Sequence, residues 1–215
     1  MSETLDPPEA PCGDSEGENG KPESGMPRRP RNAEVREREY LLEKEVEWMV
    51  AAARRTGRHG YRDSTLILMA FTHGLRNQEI VRLKWSQVEW GPPARLHVRR
   101  VKNGRNGVHP IRGRELRALR RLAKLYPGSE YVFSTERGTP LDSSGVRKLV
   151  ARAGREAGMP FPVHPHMLRH ACGFKLANEG QDTRAIQEYL GHADISHTVT
   201  YTELAADRFE GFWDD

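Results

Sequence analysis

Between Leu41 and Leu204 apolar residues recur at intervals of three and four in one segment after another, and only between Leu96 and Ile111 does the interval drop to two. A repeat near 3.6 marks helices with one buried face, and a repeat of two marks strands. A chain patterned this way is expected to be mainly α with a small antiparallel β-sheet. Residues 43–55 place Val46, Met49, Val50 and Ala53 on one helical face. Residues 62–73 are apolar nearly all round (Leu66, Ile67, Met69, Ala70, Phe71), which marks a buried helix. A third helix is expected over 77–88, before Gly91-Pro92-Pro93 breaks the chain. Leu96, Val98 and Val101 then alternate with basic residues, Asn103-Gly104 supplies turn chemistry, and the chain returns over 108–111. That predicts a hairpin or three-stranded sheet with a basic tip. Further helices are expected over 114–125, 143–157, 165–178, 183–190 and 195–204, with a short strand at 131–133. Trp48, Trp85 and Phe71 are read as core, and Cys172 as a small buried apolar residue.

Charge is distributed unevenly. Seven acids (Glu3, Asp6, Glu9, Asp14, Glu16, Glu18, Glu23) face one lysine, Lys21, in the first 25 residues. The chain's net charge of +4 therefore leaves +10 on the remainder, an excess that suits a polyanion as well as it suits solubility. The first 35 residues hold six prolines and four glycines with almost no large apolar side chains. Such a stretch cannot offset its ordering entropy by burial, so residues 1–38 are expected to be a disordered acidic, proline-rich tail ahead of one domain over 39–215. The longest apolar run, 66–71, is far short of the roughly 20 residues of a spanning helix. No signal peptide is readable, and Cys12 and Cys172 are too few for a disulfide framework. A cytoplasmic chain without membrane contact is expected.

The groups able to do chemistry fall at helix ends and on helical faces. Arg76 opens a helix with Glu79 one turn on. Lys102 sits at the hairpin tip beside Arg99, Arg100 and Arg105. His166 and Arg169 are three apart in His164-Pro165-His166-Met167-Leu168-Arg169-His170. Leu190-Gly191-His192 ends a helix, and Tyr201 follows nine residues later. Two arginines, two histidines, a lysine and a tyrosine suit a phosphodiester. Arginine forks bind non-bridging oxygens and stabilise a five-coordinate transition state, a histidine moves a proton near neutral pH, and a tyrosine can attack phosphorus. Fixed cations then do the work of Mg²⁺, so no metal and no cofactor are expected.

Each residue also has an ordinary reading. Arg76 can be a surface side chain, Glu79 a salt-bridge partner of Arg76 or Arg82, Lys102 a charged turn residue with Arg105 its rival, His192 a helix C-cap, and Tyr201 a packed aromatic. His166 and His170, four apart, have a zinc spacing, but no glutamate follows the first and no cysteine pair accompanies them. The conjunction, in this order and spacing, is what separates the sharp reading from the plain ones.

Gly74-Leu75-Arg76 with Glu79, Lys102, His166-Met167-Leu168-Arg169-His170, Leu190-Gly191-His192 and Tyr201 together resemble the tyrosine recombinases, the phage integrase family, over residues 40–213. The match is nearest to the short fimbrial phase-switch invertases, through His164 to Gly173, Tyr189-Leu190-Gly191-His192, His197-Thr198-Val199 and Tyr201-Thr202. The resemblance implies the recombinase catalytic-domain fold, Tyr201 as nucleophile, Arg76 and Arg169 as phosphate clamp, and Lys102 as general acid. It further implies His166 as the proton-handling histidine, His192 as a phosphate hydrogen-bond donor, and Glu79 and His170 as supporting groups. It implies double-stranded DNA as partner, contacted by Arg99, Arg100 and Arg105. A 3′-phosphotyrosyl link, a Holliday junction and a homo-tetramer on DNA follow, with a monomer or weak dimer when free and accessory DNA-bending proteins as possible helpers. The C-terminal stripe of Leu204, Phe209, Phe212 and Trp213 would dock on a neighbouring protomer. With only the expected tail ahead of Leu41, the separate core-binding domain of most family members is not expected here. Two other readings stay open at this point: a catalytically dormant DNA-binding regulator of the same fold, and relaxation of DNA in the manner of type IB topoisomerases.

Overall fold

The structure is a computed structural model, and it describes residues 40–101 and 104–203. The acidic tail, Lys102 and the C-terminal apolar stripe lie outside the described residues.

Eight α-helices, one 3-10 turn (Trp85–Gln87) and one sheet are present among the described residues: α1 (Glu43–Arg55), α2 (Gly60–Thr72), α3 (Asn77–Val81), β1 (Val88–Glu89), β2 (Arg95–Val98), β3 (Gly107–Pro110), α4 (Gly113–Leu125), α5 (Ser143–Glu156), α6 (Pro165–Asn178), α7 (Thr183–Leu190) and α8 (Ser196–Glu203). The sheet is antiparallel in the order β1-β2-β3, with Val88 opposite Leu96 and Leu96 opposite His109. No described helix is long and apolar enough to cross a membrane.

Local chemistry explains most boundaries. Glu45 accepts from the Leu42 amide at 2.7 Å at the start of α1, and acids in its first turn and arginines in its last suit the helix dipole. Pro165 occupies the first turn of α6, where its missing N–H costs nothing. Asp182 caps α7 through the amides of Arg184 and Ala185, both at 3.0 Å. Gly191 then ends α7 in the left-handed region, at φ 66°. α2 is buried along nearly its whole length and packs on α1, α4 and α6. Its first turn is held by Arg62, which donates to the Ser134 carbonyl and to Asp63; Arg152 of α5 also donates to Asp63.

Four expectations are corrected. The helix expected over 77–88 stops at Val81, because the next segment pairs sideways. Val132 N–H donates to the Leu83 carbonyl at 2.9 Å and Trp85 N–H to the Glu130 carbonyl at 3.1 Å. The same pairing reduces the strand expected at 131–133 to an isolated bridge between Lys84 and Tyr131. Trp48 is 55% exposed rather than core, since the face of α1 that packs is the one carrying Val46, Met49, Ala52 and Ala53. In β3 the alternation runs opposite to apolar expectation: Val108 is 57% exposed and His109 is buried. The Asn103-Gly104 turn expected between β2 and β3 falls on Asn103, outside the described residues; beside it the Arg100 amide donates to Asn106 Oδ1 at 2.9 Å.

Candidate active site

The site gathers side chains from four separate segments. Gly74 turns the chain between α2 and α3 at φ 56°, a conformation that favours glycine. A Cβ there would also collide with the Leu190 side chain. That turn presents Arg76 at the start of α3. The Glu79 carboxylate accepts from the Arg76 amide (2.9 Å), from Arg76 Nη1 (3.0 Å), from Arg100 Nη1 (2.8 Å) and from the Val101 amide (3.3 Å). Burial alone would raise its pKa, but the Arg100 charge and these hydrogen bonds outweigh that and lower it. Glu79 is thus an ionised anchor for two arginines.

Arg169 lies on the floor of the site with 0% exposure. Its Nη1 donates to the Gly74 carbonyl and its Nη2 to the Leu190 carbonyl at 2.7 Å, joining the turn before α3 to the end of α7. Burial, with repulsion from Arg76 and Arg100, lowers its pKa to about 9, which leaves it charged at neutral pH. Arg76 is the more accessible of the pair.

Tyr201, on α8, is 2% exposed. Its ring meets Phe174 edge to face at 5.2 Å between centroids and rests on Gly173, where a Cβ would come within 2.6 Å of the ring. Its hydroxyl pairs with His170 Nδ1 at 2.9 Å. Burial pushes the Tyr201 pKa up to about 12 while Arg169 and Arg76 pull it down. Burial, with His166 and Arg169, pushes His170 down to about 4. A base that weak cannot remove the tyrosine proton at equilibrium, so His170 orients the hydroxyl. His166 is exposed on the rim, edge-on to His170 at 4.4 Å between centroids.

His192 follows Gly191 and stacks near the Tyr201 ring at 6.2 Å. Burial and the charges of Arg169 and Arg76 lower its pKa to about 3, so it is neutral. Its Nδ1 pairs with the buried Thr198 hydroxyl at 2.8 Å. When Thr198 donates that bond, the imidazole proton sits on Nε2 and that nitrogen is a hydrogen-bond donor.

Arg76, Glu79, Arg169, His170, His192 and Tyr201 are therefore brought together, with His166 at the edge. Arg99 and Arg105 are exposed. Arg100 departs from the expected basic tip: its side chain has 0% exposure and points inward. The signal for this lay in the alternation, because the period that puts Leu96 and Val98 inside puts Arg100 inside too. Sequence reasoning also missed Thr198 as partner of His192, and no spacing rule would have found it. Among the described residues no three His, Cys, Asp or Glu side chains are placed to share a metal ion.

Residues 39–208 match the phage integrase family model. The chain belongs to the phage integrase family. Within this family it is 41% identical over 187 residues to the type 1 fimbriae regulatory protein FimB of Escherichia coli (strain K12), covering 85% of this chain and 92% of FimB. It is 35% identical over 147 residues to the tyrosine recombinase XerC of Xylella fastidiosa (strain 9a5c), covering 67% of this chain and 49% of XerC. The fold matches that of the XerH site-specific recombinase bound to its palindromic difH substrate, with a TM-score of 0.70 at 21% identity over 84% of this chain and 54% of XerH. The chain thus spans about half the length of XerC and XerH, and nearly the whole of FimB.

Proposed function

We propose that this member of the phage integrase family is a site-specific DNA recombinase that cleaves and rejoins DNA through a 3′-phosphotyrosyl intermediate, in DNA inversion or integration. The observation that carries the reading is the gathering of Tyr201, two buried or half-buried arginines and a neutral histidine from α3, α6, α8 and the turn after α7. In the proposed step Tyr201 Oη attacks phosphorus and the P–O5′ bond breaks. The tyrosine proton passes to His166, the histidine with access to solvent, and the departing 5′ oxygen takes a proton from Lys102. Arg76, Arg169 and His192 offset the charge that builds on the non-bridging oxygens. Rejoining runs the same step backwards with a 5′ hydroxyl from another strand. Two fixed guanidinium charges at one phosphate support a metal-independent reaction.

Double-stranded DNA is the partner in this reading. A homo-tetramer assembles on it and exchanges strands through a Holliday junction, from a monomer or weak dimer when free, with DNA-bending proteins as helpers. The domain proper starts near residue 39, the acidic segment before it acts as a tail, and the protein works in the cytoplasm.

A suicide-substrate trap tests the reading. DNA from beside the gene is nicked so that the cleaved strand cannot religate, and products are run on a denaturing gel. A covalent protein–DNA band that disappears in Tyr201→Phe is the expected outcome. No band, with site-specific binding intact, would point to a dormant regulator; loss of supercoils without sequence preference would point to relaxation.

A further inference from the structure

His192 enters the site from the turn after α7, and both its backbone and its ring are fixed. Its amide donates to the Gln187 carbonyl at 3.0 Å, and Gln187 Nε2 donates back to the His192 carbonyl at 3.3 Å. The ring neighbours those of Tyr201, at 6.2 Å, and His197, at 5.9 Å between centroids. Its Nδ1 pairs at 2.8 Å with the hydroxyl of Thr198, a residue with 0% exposure. One variable remains, the nitrogen that carries the single proton of the neutral ring.

A count of donors and acceptors decides it. The Thr198 hydroxyl has one proton, and its hydrogen-bond partner among the described residues is His192 Nδ1. If Nδ1 held the ring proton and donated it, the hydroxyl proton would be left buried without an acceptor, which is unfavourable. If Thr198 donates to a bare Nδ1, both groups are satisfied and the ring proton sits on Nε2. Nε2 bonds to no described residue and is not sealed from solvent, so it is open to a ligand atom. Thr198 also lies one turn before Tyr201 on α8. The helix that carries the tyrosine therefore also holds the histidine.

We propose that Thr198 is a positioning residue whose hydroxyl donates to His192 Nδ1, fixes the Nε2–H tautomer, and so holds that N–H as the donor to a non-bridging phosphate oxygen. The tautomer half stands on the structure alone. The phosphate half rests on the proposed recombinase reaction and on His192 as a phosphate donor.

The test uses the full chain with ¹⁵N-labelled histidine, and His192→Ala assigns the His192 signals. By NMR at neutral pH the parent should show a protonated, pyrrole-like Nε2 and a bare, pyridine-like Nδ1. Thr198→Val keeps the shape and loses the hydroxyl, and should move both signals by admixing the other tautomer; Thr198→Ser should restore them. A parent with its proton on Nδ1, or Thr198→Val signals identical to the parent's, overturns the tautomer half; the parent measurement decides even if the valine variant does not fold. Covalent-complex formation on saturating suicide substrate should fall about tenfold in Thr198→Val, less than the roughly 100-fold cost of losing such a donor outright, and recover in Thr198→Ser. In the His192→Ala background Thr198→Val should cost less than about twofold more, since a residue acting through His192 has nothing left to act on. An equal loss in both backgrounds means that Thr198 merely supports α8, and it overturns the proposal, as does a shifted tautomer with unimpaired cleavage. If the parent forms no covalent complex, or His192→Ala cleaves as well as the parent, the underlying reading fails and takes the phosphate half with it, while the NMR result still decides the tautomer half.

Discussion

His166, Arg169 and His170 reach the site from a 14-residue helix, whereas Arg99, Arg100 and Arg105 come from a loop between two four-residue strands. On the helix, three- and four-residue spacing dictates which side chains share a face, and backbone hydrogen bonds hold that face regardless of what the side chains do. On the loop no such ladder exists, and three arginines close in sequence take different roles: two exposed, one at the centre of a bonded cluster. The described residues of that segment are held by side chains and glycine contacts instead. A helix-borne site should therefore fail by steric displacement of one group, and a loop-borne one by loss of seating.

The largest expected effect is on the helix side. In Gly173→Ala the new methyl would fall 2.6 to 2.8 Å from three atoms of the Tyr201 ring, and a packed core has no room to absorb it. The ring and its hydroxyl must move away from His170. Covalent-complex formation in the suicide assay is expected to fall by about 100-fold, because an ångström of misplacement is worth that much. The melting temperature should fall only modestly. If cleavage is unimpaired, the packing of Tyr201 on α6 does not set the nucleophile.

The second effect concerns histidines on both sides. His170 and His192 are held neutral at the site, and beneath the loop His73 and His109 are buried with their Nδ1 atoms 3.3 Å apart. Burial, their mutual repulsion and the Arg100 charge drive His73 well below its ordinary value, and burial with Arg100 drives His109 to about 4. The unfolded chain, titrating near 6.5, binds these protons first, so stability present above about pH 6.5 is lost as pH falls towards 4. Glu115, raised mainly by burial and 3.7 Å from His73, works in the opposite direction but is a single group. The melting temperature is expected to drop by roughly 5 °C between pH 7.5 and 5. His109→Phe, which keeps an aromatic ring against Tyr189, should lessen that drop. An unchanged pH slope in this variant would show that the pair does not carry the effect.

These cases also show what the sequence discloses. Helix α6 begins at Pro165, and α7 begins after Asp182 and ends at Gly191, where their residues announce it, and the order of the site residues follows from helical spacing. The His109–Tyr189 stack and the acceptors that hold Arg100 depend on partners distant in the chain, which no local pattern encodes, and the Thr198 bond to His192, six residues apart, follows no helical spacing. Arg100 was half readable: strand alternation pointed inward, but a run of basic residues near a turn looked like a surface patch. Trp48 was misread for the opposite reason, since an apolar residue near a helical stripe need not lie on it.

The smallest effect belongs to the two exposed loop arginines, and it separates them most cleanly from Arg100. If Arg99 and Arg105 contact phosphates, each replacement by alanine removes about one released counterion, so affinity should fall severalfold at low salt and the slope of log affinity against log salt should shrink by about one per residue. Neither change touches a described hydrogen bond of the site, so cleavage of bound DNA and the melting temperature should stay close to the parent. Arg100→Lys is expected to show the reverse pattern, with affinity and salt slope preserved and cleavage impaired. A salt slope that changes equally for all three would mean that the loop meets DNA as one basic surface, and that the burial of Arg100 does not divide it.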